Sequence, residues 1–209
     1  MNVRFIVQAI ERRAENVAYL QRHIPDLEVC WDNSGKCIGG FMKVLAQAGA
    51  SSFVLLEDDI ILTQLFVPKI LCAIHQKPDC LIQFHSRSKD DLAVGSRLRA
   101  GRQFLNHQCV YFPTGMAMEI LRFSEREIYH DFSSPRSFSD CLTQDYLHSN
   151  SLKYWTHIPS LVDHLPAVSM VDPRRAKTGI RRQARVFMDP ETDGCPSSLL
   201  SKWKPLQNS

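Results

Sequence analysis

Short apolar runs and helical stripes alternate along the first part of this chain. Arg4 to Ala9 reads as a strand, Glu11 to Ile24 carries Val17, Leu20 and Ile24 at helical spacing, and Leu27 to Trp31 reads as a second strand. Asp32-Asn33-Ser34-Gly35-Lys36 is a turn by composition. Gly39 to Ala48 then brings Phe41, Val44 and Leu45 to one helical face, and Gly49-Ala50-Ser51 breaks that helix before an apolar strand at Phe53 to Leu56. Strand, helix, strand, helix, strand in this order predicts a parallel sheet built through right-handed crossovers. The rest is less regular. It reads as a helix near Leu65 to His75, a strand at Cys80 to Phe84, a polar loop from His85 to Arg102 and a strand from Gln108 to Phe112. Pro113-Thr114-Gly115 follows as a turn, then helices at Met116 to Phe123 and Ser139 to Ser149 and a strand at Lys153 to His157.

The third strand ends in three consecutive carboxylates, Glu57-Asp58-Asp59, before the chain turns apolar again at Ile60-Ile61. Ligands of parallel sheets bind beyond the carboxyl ends of the strands. Like charges crowded there are offset most simply by a divalent cation. The other reading is that two of the acids cap a helix beginning near Thr63 and the third is solvated.

Composition narrows the class of protein without choosing a function. The chain has 209 residues, 44% hydrophobic and 22% charged, which fits one globular domain. Its longest apolar stretch, Ile60 to Ala73, is interrupted by Thr63, Gln64, Pro68 and Lys69, short of a membrane span. The N-terminus lacks a signal-peptide layout, so the expectation is a cytoplasmic protein with reduced thiols. Its seven cysteines form no C-x-x-C pair. A net charge of +3 does not by itself imply a nucleic-acid partner.

The order of these parts resembles the GT-A glycosyltransferases. Four landmarks carry the resemblance: Glu57-Asp58-Asp59 in the place of the family's D-x-D, with Glu first; Pro113-Thr114-Gly115 as its glycine-bearing loop; Ser139-Asp140 at the head of a helix; and His164 in Pro159-Ser160-Leu161-Val162-Asp163-His164. The resemblance covers roughly Val3 to Phe187. It implies an α/β fold: a single GT-A (Rossmann-like) domain over residues 1–170, with a mixed, mostly parallel sheet flanked by helices. Residues 171–209 would form a basic C-terminal lid or tail packed on the same domain. The implied activity is sugar transfer from a nucleoside-diphosphate sugar under Mn²⁺ or Mg²⁺, in which the metal offsets the charge of the leaving diphosphate.

The resemblance makes Asp59 and His164 the metal ligands and Asp140 the general base, whose attack-coupled deprotonation would give inversion. On residue type alone, Asp140 also reads as a helix N-cap and His164 as a solvated histidine. Asp145 is the reserve base. Donor binding falls to Val7, Gln8 and Arg12 (or Arg13) after the first strand, Asp32 and Asn33 after the second, and Glu57, with Asp58 turned back into the fold by strand alternation. Thr114 and Gly115 would let the backbone approach a sugar closely, and equally make an ordinary turn.

Arg174 to Arg185 holds six cations in twelve residues. Two functional readings compete with a solvated loop: a lid with Arg174 and Lys177 on the diphosphate, or a patch for a polyanionic acceptor. The acceptor is therefore either DNA, as a hydroxymethylated base in bacteriophage DNA modification within the host cytoplasm, or a saccharide such as a cell-envelope glycan. Outside the class stand a sugar nucleotidyltransferase, which would carry a Gly-rich loop where Ala9-Ile10-Glu11-Arg12-Arg13 has none, and a non-catalytic nucleic-acid binding protein.

Overall fold

The computed structural model describes residues 2–34, 37–126, 138–165 and 183–204. β1 (Arg4–Ala9) runs through a 3-10 turn at Glu11–Arg13 into α1 (Ala14–His23), followed by β2 (Glu28–Trp31), α2 (Cys37–Ala48) and β3 (Phe53–Glu57). Next come β4 (Ile60–Leu62), α3 (Phe66–Gln76), β5 (Ile82–Gln83), β6 (Arg97–Ala100) and β7 (Cys109–Phe112). α4 (Met116–Arg126), α5 (Ser139–Ser149), β8 (Lys153–Thr156), β9 (Val162–His164) and the short α6 (Ser197–Leu200) complete the described elements.

The seven-stranded sheet has the order β2-β1-β3-β7-β5-β8-β6. β1 pairs parallel with β2 and β3, and β5 with β8, whereas β7 and β6 run against the rest. This is the mixed, mostly parallel α/β sheet that the resemblance implies; the strand–helix alternation alone predicts its parallel part, β1, β2 and β3. Strand side chains alternate between faces. Phe5, Val7, Val54 and Leu56 therefore join Leu20 and Ile70 in one core, while Ile6, Phe53 and Leu55 join Phe41, Ile120 and Leu142 in the other. Phe187, Leu199, Leu200 and Trp203 return to cover the first core.

Two elements depart from the sequence expectation. The segment read as a polar loop, His85 to Arg102, contains β6, whose pattern is inverted: Leu98 is exposed, while Arg99 is drawn in beside the buried Asp91 carboxylate. Ile60–Leu62, to which the sequence reading assigns no element, is a strand, β4, paired antiparallel with β9 so that Ile60 faces His164. No disulfide links Cys30, Cys72, Cys80, Cys109, Cys141 and Cys195. No helix among the described residues is long and apolar enough to cross a membrane.

Candidate functional site at the carboxyl edge of the sheet

The acidic turn after β3 is held by the start of α1. Asp58 is buried, with Oδ2 accepting from the Ile10 N–H (2.8 Å) and Oδ1 from Arg13 Nη1 (2.5 Å). The Asn16 amide donates to the Asp58 carbonyl and, at 3.4 Å, to that of Ile60. Burial pushes the Asp58 carboxyl up to about 6; Arg13 opposes that rise and Asp59 adds to it. With both oxygens taken by protein donors, Asp58 braces the turn.

Asp59 faces elsewhere. Its Oδ2 lies 2.9 Å from Arg13 Nη1 and 3.3 Å from His164 Nε2. The β4–β9 ladder makes this meeting, and the Leu165 N–H closes it by donating to the Asp59 carbonyl (2.7 Å). Adjacent ligands of an octahedral ion with bonds of about 2.1 Å lie about 3 Å apart. Asp59 Oδ2 and His164 Nε2 therefore fit as neighbouring ligands of one Mn²⁺ or Mg²⁺. Among the described residues no group of three His, Cys, Asp or Glu side chains forms a complete metal site. Such an ion would draw its other ligands from phosphate and water oxygens, as these cations commonly do. Arg13, which reaches the same Asp59 oxygen, is the cation the acidic turn already holds.

Gln8 and Glu57 are register partners across β1 and β3, and Glu57 donates its N–H to the Gln108 carbonyl (3.1 Å). A Cβ on Gly40 would come within 2.4 Å of Gln8 Nε2 and 2.9 Å of Asp32 Oδ2, so any larger residue in the first turn of α2 would push these two side-chain ends aside. Asp32 is buried and accepts from Lys43 Nζ (2.8 Å) and Ser34 Oγ (2.9 Å). Burial alone would raise its carboxyl, but the bonds from Lys43 and Ser34 hold it below its ordinary value. Asn33 Oδ1 accepts from the Glu11 N–H (3.0 Å), tying the two loops together.

Asp140 comes to the same edge. Its Oδ1 accepts from the Cys141 N–H (3.1 Å) and its Oδ2 from the Asn106 N–H (3.3 Å), beside Arg87, whose Nη2 donates to Asn106 Oδ1 (2.6 Å). Asp145 lies further along α5, partly buried. His107 is buried between the Phe41 and Phe104 rings with Nε2 3.0 Å from Thr143 Oγ1. Burial lowers its imidazole to about 4, against the pull of Asp140.

Several expected ligand contacts lie elsewhere. Val7 is fully buried core, because alternation gives Gln8 the outward position at the end of β1. Arg12 is exposed, and its neighbour Arg13 is the arginine that meets the acids. Thr114 and Gly115 follow β7, which runs antiparallel to β3 with Phe112 opposite Phe53, so they stand at the far end of the sheet from Glu57. There Gly115 adopts φ +84° and donates its N–H to the Ala50 carbonyl (3.0 Å), a turn and not a sugar contact. Arg174 and Lys177 lie outside the described residues.

Gly40, Lys43 and Gln108 were not legible in the sequence as site residues, and neither was Asp163. The Asp163 carboxylate accepts from the His164 N–H (2.8 Å), Trp203 Nε1 (2.8 Å) and the Ala184 N–H, fastening the C-terminal segment to β9. Its place inside the motif that names His164 was the signal available.

No protein-family profile matches the sequence, and no curated protein matches it. Among solved structures, A197 from STIV is 7% identical, covering 92% of this chain and 97% of its own, at a TM-score of 0.44. UDP-glucose pyrophosphorylase from Acinetobacter baumanii is 7% identical, covering 78% of this chain and 72% of its own, at a TM-score of 0.43. Likenesses at this distance bear on neither the fold nor the chemistry of the site.

Proposed function

We propose that this protein is a metal-dependent glycosyltransferase that moves a sugar from a nucleoside diphosphate to an acceptor hydroxyl with inversion. The observation that carries the reading is the 3.3 Å approach of His164 Nε2 to Asp59 Oδ2 at the carboxyl edge of the sheet. When bound there, Mn²⁺ or Mg²⁺ would neutralise the diphosphate as it departs. Gln8, Asp32 and Asn33 form the polar rim that would take the base and ribose, and Glu57 would accept from donor hydroxyls. Arg13 supplies positive charge beside the phosphates. Asp140, held by two backbone N–H groups, would take the acceptor proton as the oxygen attacks the anomeric carbon.

The cations from Arg174 to Arg185 favour a polyanionic acceptor, a hydroxymethylated base in DNA, over a saccharide. A sugar nucleotidyltransferase is disfavoured because β1 runs into Ile10 and Glu11–Arg13 without a glycine-rich phosphate loop. The test is a melting-temperature panel of nucleoside diphosphates and their sugars with and without Mn²⁺. A ligand at about 100 times its dissociation constant should add about 2.7 kcal/mol. A Mn²⁺-dependent rise with one base is the expected result; no rise with any would contradict the reading.

A further inference from the structure

A cavity of about 540 Å³ lies on the α3 side of the sheet. It is separate from the acidic edge. Thr63 and Leu161, joined by a backbone hydrogen bond (3.0 Å), border it at one end of the β4–β9 ladder, whereas Ile60 and His164 form the other end. Its volume falls within the range of small-molecule sites, roughly 300–1,000 Å³.

One wall is a single face of α3 and its C-cap: Lys69, Cys72, Ala73, Gln76 and Lys77 recur at helical spacing, a span of about 12 Å. The facing wall carries Ile82 and Trp155, register partners on β5 and β8, followed by His157. Lys77 Nζ sits 4.7 Å from the Trp155 ring centroid, and no described carboxylate pairs with it. Lys69 Nζ donates to Thr63 Oγ1 (3.2 Å). That hydroxyl in turn donates to the Met188 carbonyl (2.8 Å), so Lys69 is tied into the backbone of the rim. The ammonium that stands beside the indole is Lys77.

His157 supplies a directional group. Its Nδ1 lies 2.8 Å from the Pro159 carbonyl, and a carbonyl only accepts, so Nδ1 carries the proton. Burial lowers the imidazole below its ordinary value, which keeps it neutral at pH 7 and leaves Nε2 as an acceptor.

We infer that this cavity binds a small aromatic anion: a flat ring against Trp155, its acid group at Lys77 and a ring hydroxyl donating to His157 Nε2. Apolar wall, indole, the Lys77 ammonium beside it and the His157 acceptor match that chemistry together; a neutral hydrocarbon would leave Lys77 and His157 unused. The ligand site is independent of sugar transfer.

The test uses 6-hydroxynaphthalene-2-sulfonate, followed by its own fluorescence anisotropy, with neutral 2-naphthol as the control. Saturable one-to-one binding is expected. Lys77→Gln should weaken the sulfonate about tenfold and leave 2-naphthol unaffected. Ala73→Trp, which fills the cavity from α3, should abolish binding while the melting temperature is retained. If Ala73→Trp does not fold, Ser96→Trp fills the cavity from the opposite rim. Asp59→Ala should bind the probe as the parent does. No saturable binding by the parent, undiminished binding in a folded cavity-filled variant, or loss of binding in Asp59→Ala would overturn the inference.

Discussion

At the scale of single residues, neighbours in the acidic triplet divide the work by where the chain points them. Asp58 is spent on Ile10 and Arg13, whereas Asp59 shares Arg13 and alone reaches His164. Strand alternation already turned Asp58 back into the fold; the sequence could not name its partners, which depend on what the start of α1 delivers. It also could not single out Gly40: a helical glycine looks like a weak helix former until Gln8 and Asp32 are seen against it. Asp140→Asn should abolish transfer while donor binding in Mn²⁺ persists, read by product formation and calorimetry on the same protein. Undiminished transfer would remove Asp140 as the base. His107 gives a pH prediction. The unfolded histidine takes a proton near 6.5, but the buried one only near 4, so stability is full above pH 6.5 and falls as pH drops through that window. The loss approaches about 3 kcal/mol. Asp58, raised by burial, slopes the other way between about 4 and 6. Comparing urea unfolding of the parent with His107→Gln therefore isolates the histidine: the variant's stability should fall less between pH 6.5 and 4, and identical slopes would contradict the assignment.

At the scale of elements, the N-terminal half was legible because each strand and helix there has its own clear period. β1, β2, β3 and α2 follow the expected runs to within a few residues. The rest depended on pairing. β6 hides its identity by turning Arg99 inward to Asp91, and β4 is three apolar residues that become a strand only beside β9. The reversal of β7 explains the misplaced Thr114 and Gly115: strand direction is a property of the sheet, not of the local sequence. β9 in turn depends on the C-terminal segment through Asp163. Trp203→Phe keeps the ring beside Phe187 and removes the N–H that Asp163 accepts. A buried carboxylate short of one donor costs about 1–3 kcal/mol, to be read as a lower urea midpoint with an unchanged slope. No change in midpoint would mean the Trp203 N–H does not help hold the C-terminal segment.

At the scale of the whole molecule, a sheet with two separately cored faces brings the ends of β1, β2, β3 and the head of α5 to one edge. There an apolar strand delivers carboxylates, and a ladder outside the main sheet returns a histidine to them. The proposed function requires Asp59 and His164 together to hold a divalent cation shared with a nucleoside diphosphate. The most direct measurement is electron paramagnetic resonance of Mn²⁺ titrated with the protein and the diphosphate identified by the melting panel. Measured against Mn²⁺ with the diphosphate alone, the parent protein should remove further free Mn²⁺ signal, saturating at one equivalent, and neither Asp59→Ala nor His164→Ala should remove more than the diphosphate does. Equal loss of signal with the parent and both variants would contradict the account.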